Sequence, residues 1–202
     1  NVNLVNSIIV NNSNSNTAIA GGVYCSASTL NIVNSIIRNN QSLNITLSYG
    51  TLNISYSNLE GGLSGVVEND PSTINWGPGN IDIDPIFLDT ANGDYRLSNF
   101  SPCIGAGIDS SIVPITDLDG NLRPNPAGSN PDIGAYENSL ATPDILGCMD
   151  PISLTYNAIA NISDPTLCCY VGGCIDPAAT NYDPLACFNT VSCNFIINNI
   201  TQ

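Results

Sequence analysis

The sequence predicts an all-β chain in which the coils and C-terminal cap of a right-handed parallel β-helix are followed by a small disulfide-rich module. Three observations predict it. Stretches of chain repeat at a spacing of 22 residues, their matched apolar positions fall in short alternating runs, and six of the eight cysteines crowd between Cys148 and Cys193. The expected boundaries are 1–138 for coils and cap, 139–146 for a linker and 147–202 for two cysteine repeats.

The first element is the run Asn3 to Asn12, NLVNSIIVNN, which matches NIVNSIIRNN (Asn31 to Asn40) with a shift of 28. The six extra residues are assigned to an outward loop within NSNSNT, Asn12 to Thr17. The next two copies, Gly22 to Asn40 and Asn44 to Gly62, superimpose Val23 on Ile45, Cys25 on Leu47, Leu30 on Leu52, Ile32 on Ile54 and Ile37 on Leu59. One such unit cannot bury its own apolar face and must stack on copies of itself. Helical hairpins are excluded, because no dozen residues run at helical period without Asn, Gly or Ser intervening. About 22 residues suit one coil of three strands of about five residues joined by tight turns. Like then stacks on like: Ile32 over Ile54, Asn31 over Asn53. Cys25, equivalent to Leu47, is expected as a buried thiol.

Charge narrows the partners. Three arginines (Arg38, Arg96, Arg123) face 17 carboxylates with no lysine or histidine, a formal net charge of −14. No surface neutralises a run of phosphates, so neither nucleic acid nor insertion into an anionic bilayer is expected. Divalent cations and neutral glycans fit better. With 10% charged residues, the surface must rest on Asn, Ser, Thr and Gly, as in exported proteins. No segment is apolar enough to span a membrane and no signal peptide is present. The chain opens inside a strand repeat, so it is expected to be the C-terminal piece of a longer secreted or cell-surface polypeptide.

From about Glu60 the repeat fades. There follow IDIDPIFLD (Ile81 to Asp89), NGDYRLSNFSPCIGAG (Asn92 to Gly107), TDLDGNLRP (Thr116 to Pro124) and PDIGAYE (Pro131 to Glu137). With the preceding NSII and SYSNLEGG, this succession resembles the C-terminal coils and cap of bacterial right-handed parallel β-helix surface proteins often labelled choice-of-anchor. The resemblance covers residues 1–138. It departs at Gly105, where that family usually carries an acidic residue. Pro85 and Pro102 interrupt strand ladders, which belongs at a sheet edge. Tyr95, Leu97, Phe100 and Ile104 are expected to cover the last open coil. Arg96 and Arg123 are expected to pair with carboxylates such as Asp94, Asp119 or Asp132.

The final module holds two copies of one unit, beginning at Gly147-Cys148-Met149-Asp150-Pro151 and Gly173-Cys174-Ile175-Asp176-Pro177. Each has Tyr five residues after the Pro (Tyr156, Tyr182) and Ala four further on (Ala160, Ala186). A segment this short builds little core, and disulfides are the usual remedy. Zinc is the competing reading, but there is no His and Cys168-Cys169 are adjacent, which suits tetrahedral ligation poorly. Of about fifteen possible pairings, the favoured one is Cys148 with Cys168 and Cys174 with Cys193 within repeats, and Cys169 with Cys187 between them. The unit resembles the GCTDPxxxNYDPxA repeats of large exported Bacteroidetes proteins, and that resemblance implies export by the type IX route.

Catalysis is not expected. A uronate lyase needs a cationic base, and Arg38 stands alone on its coil. Asp82 and Asp84 share one face of IDIDP, as a glycosidase pair would, but the default is isoleucines inward and aspartates to solvent. Calcium is the better guess: Asp117, Asp119 and Asn121 offer oxygens at alternate positions around Gly120, although the twelfth position holds Gly128 in place of Glu. An Asx-rich turn is the competing reading. The expected function is a non-catalytic structural or adhesive segment, filament building included, whose partners are glycans, further copies or the parent chain. The alternatives are the accessory part of a polysaccharide-active enzyme and a glycan-binding module on Tyr24, Tyr49 and Tyr56.

Overall fold

The computed structural model describes residues 1–15, 20–41 and 43–196, and the chain divides into units Asn1–Pro143 and Asp144–Gln202. The described residues contain strands and short 3-10 turns but no α-helix. The loop assigned to Asn12–Thr17 falls partly outside the described residues.

The first unit is built on three parallel sheets that each repeat visits in the same order. Strands β1 (Val2–Val5), β4 (Thr29–Val33), β7 (Thr51–Ser55) and β10 (Thr73–Trp76) form the first sheet. The second is β2 (Ile8–Val10), β5 (Ile36–Arg38) and β8 (Asn58–Leu59); the third is β3 (Val23–Ser26), β6 (Ile45–Ser48) and β9 (Val66–Glu68). The register is the one the repeats dictate: Leu4, Ile32 and Ile54 align, as do Cys25 and Leu47. Alternation sends Leu30, Ile32, Leu52 and Ile54 into one buried cluster with Ile37, Ile45, Leu47 and Leu59. Each fully buried Ile or Leu contributes about 1.5–3 kcal/mol relative to exposure. Cys25 lies in that cluster as a free thiol.

The polar residues of the repeat have equally specific places. Asn6, Asn34 and Tyr56 follow the strands of the first sheet in the left-handed region (φ 46, 50 and 48). This region suits Asn best among residues with a Cβ. The serine after the second and the third accepts a backbone N–H from the repeat before: Ser35 Oγ from Ser7 N at 3.1 Å, Ser57 Oγ from Ser35 N at 3.2 Å. On the outer face of the first sheet, the amide of Asn31 donates to Asn3, Asn53 to Asn31 and Asn75 to Asn53, each at 2.7 Å.

That ladder reveals a repeat the sequence pattern misses. Beyond Glu60 the chain makes another circuit through β9, β10 and a bridge from Ile81 to Asn58. Its offsets drift, with Val66 on Ile45, Thr73 on Thr51 and Ile81 on Asn58, and Glu68 takes the place in register with Leu47. Trp76 stands in register with Ile54.

The segment expected to cover the last coil packs elsewhere. Ile36 points away from Ile37 and lies in a second buried cluster with Leu97, Cys103, Ile104 and Ile133, against which Ile8, Val10 and Ile81 also pack. The side chain of Asn6, in the first repeat, donates to the carbonyls of Asp132 and Gly134, and Asn34 exchanges bonds with Ile108. The segment therefore flanks the outer face of the second sheet along successive repeats. Leu97 and Ile104 are buried there, whereas Phe100 is exposed. A hairpin of β11 (Phe87–Asp89) and β12 (Asp94–Leu97) sets Tyr95 edge-on to Phe87, with ring centroids 5.4 Å apart.

In the second unit, β13 (Leu146–Gly147) pairs with β14 (Ile162–Ser163) and β15 (Gly172–Gly173) with β16 (Phe188–Asn189). Disulfides join Cys148 to Cys168, Cys174 to Cys193 and Cys169 to Cys187. The buried Cys148, Cys169 and Cys174 occupy the place of an apolar core, while Ile152, Ile159 and Leu185 are exposed. Glycine and alanine of the motif explain one another. A Cβ at Gly147 would sit 2.9 Å from that of Ala160, and one at Gly173 would sit 3.0 Å from that of Ala186.

Candidate functional site

The loop proposed for calcium is an Asx turn held by its own backbone. Asp117 Oδ1 accepts the N–H groups of Asp119 and Asn121, and its Oδ2 accepts the Asn121 amide and the Glu137 N–H. Burial opposes ionisation, but these donors outweigh it and hold Asp117 below the ordinary carboxylate range. The Asp119 carboxylate is turned to Arg96, which donates through Nε at 2.7 Å and Nη2 at 3.0 Å. Asp117, Asp119 and Asn121 thus do not converge as ligands. No group of three or more Cys, Asp or Glu side chains among the described residues is arranged to hold a metal.

The same turn abuts a buried ionic cluster that the sequence only half discloses. Arg123 Nη1 lies 2.9 Å from Glu137 Oε1, with 1% and 0% of the two side chains exposed. Arg123 also donates to the carbonyls of Asp132 and Gly134, the two that Asn6 takes from the other side. Glu137 accepts the N–H groups of Asp132 and Asn125 as well. Asp132 accepts from Gly105 N at 2.7 Å and Asn138 N at 2.6 Å. Burial pushes the Asp132 carboxyl up to about 7 against those two bonds, raises Glu137 and lowers Arg123. The partner of Arg123 is accordingly the nearby carboxylate of Glu137, in place of the three aspartates named as examples. Arg96 takes Asp94 and Asp119 as its partners.

The departure at Gly105 has a steric reason. Its φ is +62, and a Cβ there would lie 2.3 Å from the Ala141 carbonyl oxygen. A buried thiol lies two residues away at Cys103, which burial pushes up to about 11 although Asn58 donates to it at 3.3 Å.

IDIDP does not form the alternating strand expected. Ile81 bridges to Asn58, but Ile83 is 51% exposed. The two carboxylates face different tasks: Asp82 pairs with Arg38 at 2.7 Å and accepts Gly61 N, while Asp84 accepts Ile86 N. Arg38, expected to stand alone, is thereby tied to Asp82 and also donates to Asn58 Oδ1 at 3.0 Å. An aromatic row is likewise missing among the described residues. Tyr24 is in register with Thr46 and Val67, Tyr49 occupies a left-handed turn, and Tyr56 lies over Gly79.

A concavity rises beside Arg38. A cleft of about 380 Å³ opens between the ends of β2 and β5 and the segment from Asp84 to Tyr95. Asn11 and Asn39, both in the left-handed region, form one rim; Asp84, Thr90 and Tyr95 form the other. The sequence gives no signal for it, because its walls come from distant repeats. No family model matches this chain, and neither the curated proteins nor the solved structures supply a relative. The described residues include no helix long and apolar enough to cross a membrane.

Proposed function

We propose that this chain is a non-catalytic structural and adhesive segment of a large secreted or cell-surface protein. Its three parallel sheets serve as the faces of a right-handed parallel β-helix, and its cysteine repeats as a stapled end module of the kind carried by exported Bacteroidetes proteins. One observation carries the reading: five carboxylates of the segment 81–138 are spent on the fold. Asp82, Asp117, Asp119, Asp132 and Glu137 each accept the chain's own N–H or guanidinium groups. Side-chain ladders through Asn3, Asn31, Asn53 and Asn75 reinforce the stack in the way flat, extended sheets are stabilised. Disulfides extend that resistance to the second unit and fit an oxidising compartment.

The test is incubation of the purified chain with a panel of neutral and acidic polysaccharides, read by release of reducing ends and of unsaturated uronates. No release is expected. Turnover that disappears in Asp84→Asn would overturn the reading and make the polysaccharide-active alternative the better one.

A further inference from the structure

Resting on the adhesive reading, we propose that the cleft beside Arg38 binds one uncharged sugar residue of a surface glycan. The cleft falls within the range of about 300–1,000 Å³ usual for small-ligand sites, at 380 Å³. Its hydrogen-bonding groups are only partly used. Arg38 commits Nη1 to Asn58 and Asp82, leaving its remaining N–H groups directed by a side chain that is 14% exposed. Asp84 gives one oxygen to Ile86 N and keeps the other. The Tyr95 hydroxyl accepts from Asn11 at 3.3 Å and keeps its proton to donate. The Thr90 hydroxyl has no hydrogen-bond partner among the described residues. Donors and acceptors thus line the cleft together with the apolar Pro85 and Phe87, the pairing that a pyranose needs for its hydroxyls and its C–H face.

Charge selects among sugars. The guanidinium is offset by Asp82, Asp84 stands on the opposite rim, and the chain as a whole carries −14. A sialic acid or uronate would approach a negative field with no uncompensated cation to receive it.

A second feature marks the same place. Ile86, a β-branched residue, is held at φ 48, where such side chains are outliers. The Asp84 carboxylate on its N–H at 2.9 Å and Ser98 N on its carbonyl at 3.0 Å fix it there. Strain of this kind concentrates at ligand clamps. Here it lies between Asp84 and Phe87, which both line the cleft.

The experiment is saturation-transfer NMR on the full chain with methyl glycosides of neutral hexoses, with N-acetylhexosamines, and with glucuronate and N-acetylneuraminate. Saturable transfer to at least one uncharged sugar is expected. It should weaken tenfold or more in Thr90→Val and Asp84→Asn, and stay unchanged in Asn75→Ala on the distant ladder. Ile86→Gly should raise the melting temperature while weakening the sugar. Absence of transfer from every uncharged sugar, preference for the acidic ones, or binding indifferent to Thr90 and Asp84 would each overturn the proposal. None of those results would touch the structural reading, which falls only if the sugars or their polymers are cleaved.

Discussion

Glu137→Gln should be the most damaging single change in the first unit that leaves side-chain size intact. The Glu137 carboxylate serves Arg123 Nη1 at 2.9 Å and the N–H groups of Asp132 and Asn125 at 3.0 Å each, with no exposure of its own. A glutamine keeps one acceptor oxygen and turns an NH2 toward a donor, so a buried N–H is orphaned at about 1–3 kcal/mol. It also strands a guanidinium that is 1% exposed. Breaking a buried pair costs about 3–5 kcal/mol in all, a large part of the roughly 5–15 kcal/mol that stabilises a typical domain.

The two partners should not be equivalent. Arg123→Met strands a carboxylate whose proton affinity burial already raises, and it can take up a proton; an arginine cannot shed one. The carbonyls of Asp132 and Gly134 meanwhile keep the Asn6 amide. The assay is urea unfolding at pH 7, followed by the fluorescence of Trp76, which packs against the first cluster. A loss of less than about 1 kcal/mol for Glu137→Gln, against the figure above, would refute the reasoning. So would a larger loss for Arg123→Met.

Other outcomes follow from the same contacts. Asp132, near 4 when unfolded and about 7 when folded, binds more protons in the native state between those values. Its contribution is therefore full below pH 4 and falls, by up to about 4 kcal/mol, as pH rises to 7; urea midpoints across that window should show the slope, and Asp132→Asn should flatten it. Asp117, held low, acts oppositely and withdraws stability as pH drops below the ordinary carboxylate range. Asn53→Ala removes two ladder bonds and should cost about 1–2 kcal/mol by the same melts. Gly105→Asp should destabilise the first unit, since both its φ and the Ala141 carbonyl oppose a side chain; a raised or unchanged melting temperature would contradict that. Reduction should cost the second unit about 3 kcal/mol per bridge, and non-reducing peptide mapping should return Cys148–Cys168, Cys169–Cys187 and Cys174–Cys193.

What was legible in the sequence is what repeats. Ile32, Ile54 and Leu4 declare their register because parallel strands of successive repeats align identical positions, and Asn31 and Asn53 do so because an amide best satisfies its twin. The last circuit is hidden because Glu68 takes the place in register with Leu47, Trp76 that with Ile54, and the offsets of β9, β10 and the Ile81 bridge differ by a residue each. Of the two readings that TDLDGN allows, the contacts of Asp117 favour the Asx turn. TDLDGN has the spacing of a cation loop, but Glu137 N and Arg96 arrive from outside it, and no local pattern announces them. The cleft is invisible for the same reason, since Asn11, Arg38 and Tyr95 become neighbours only through stacking and the flanking segment.

The position of Glu68 bears on how the stack ends. It stands in register with Leu47, which is fully buried, yet it is exposed. An inward-register charge on an edge strand is a device that discourages further strands from adding there. β9 is the last strand of the third sheet, so Glu68 stands where a further strand would add. Glu68→Leu should make the purified chain associate through β9, read in sedimentation velocity as a faster species that the parent is expected to lack. If the variant stays as monodisperse as the parent, Glu68 is not what closes the stack.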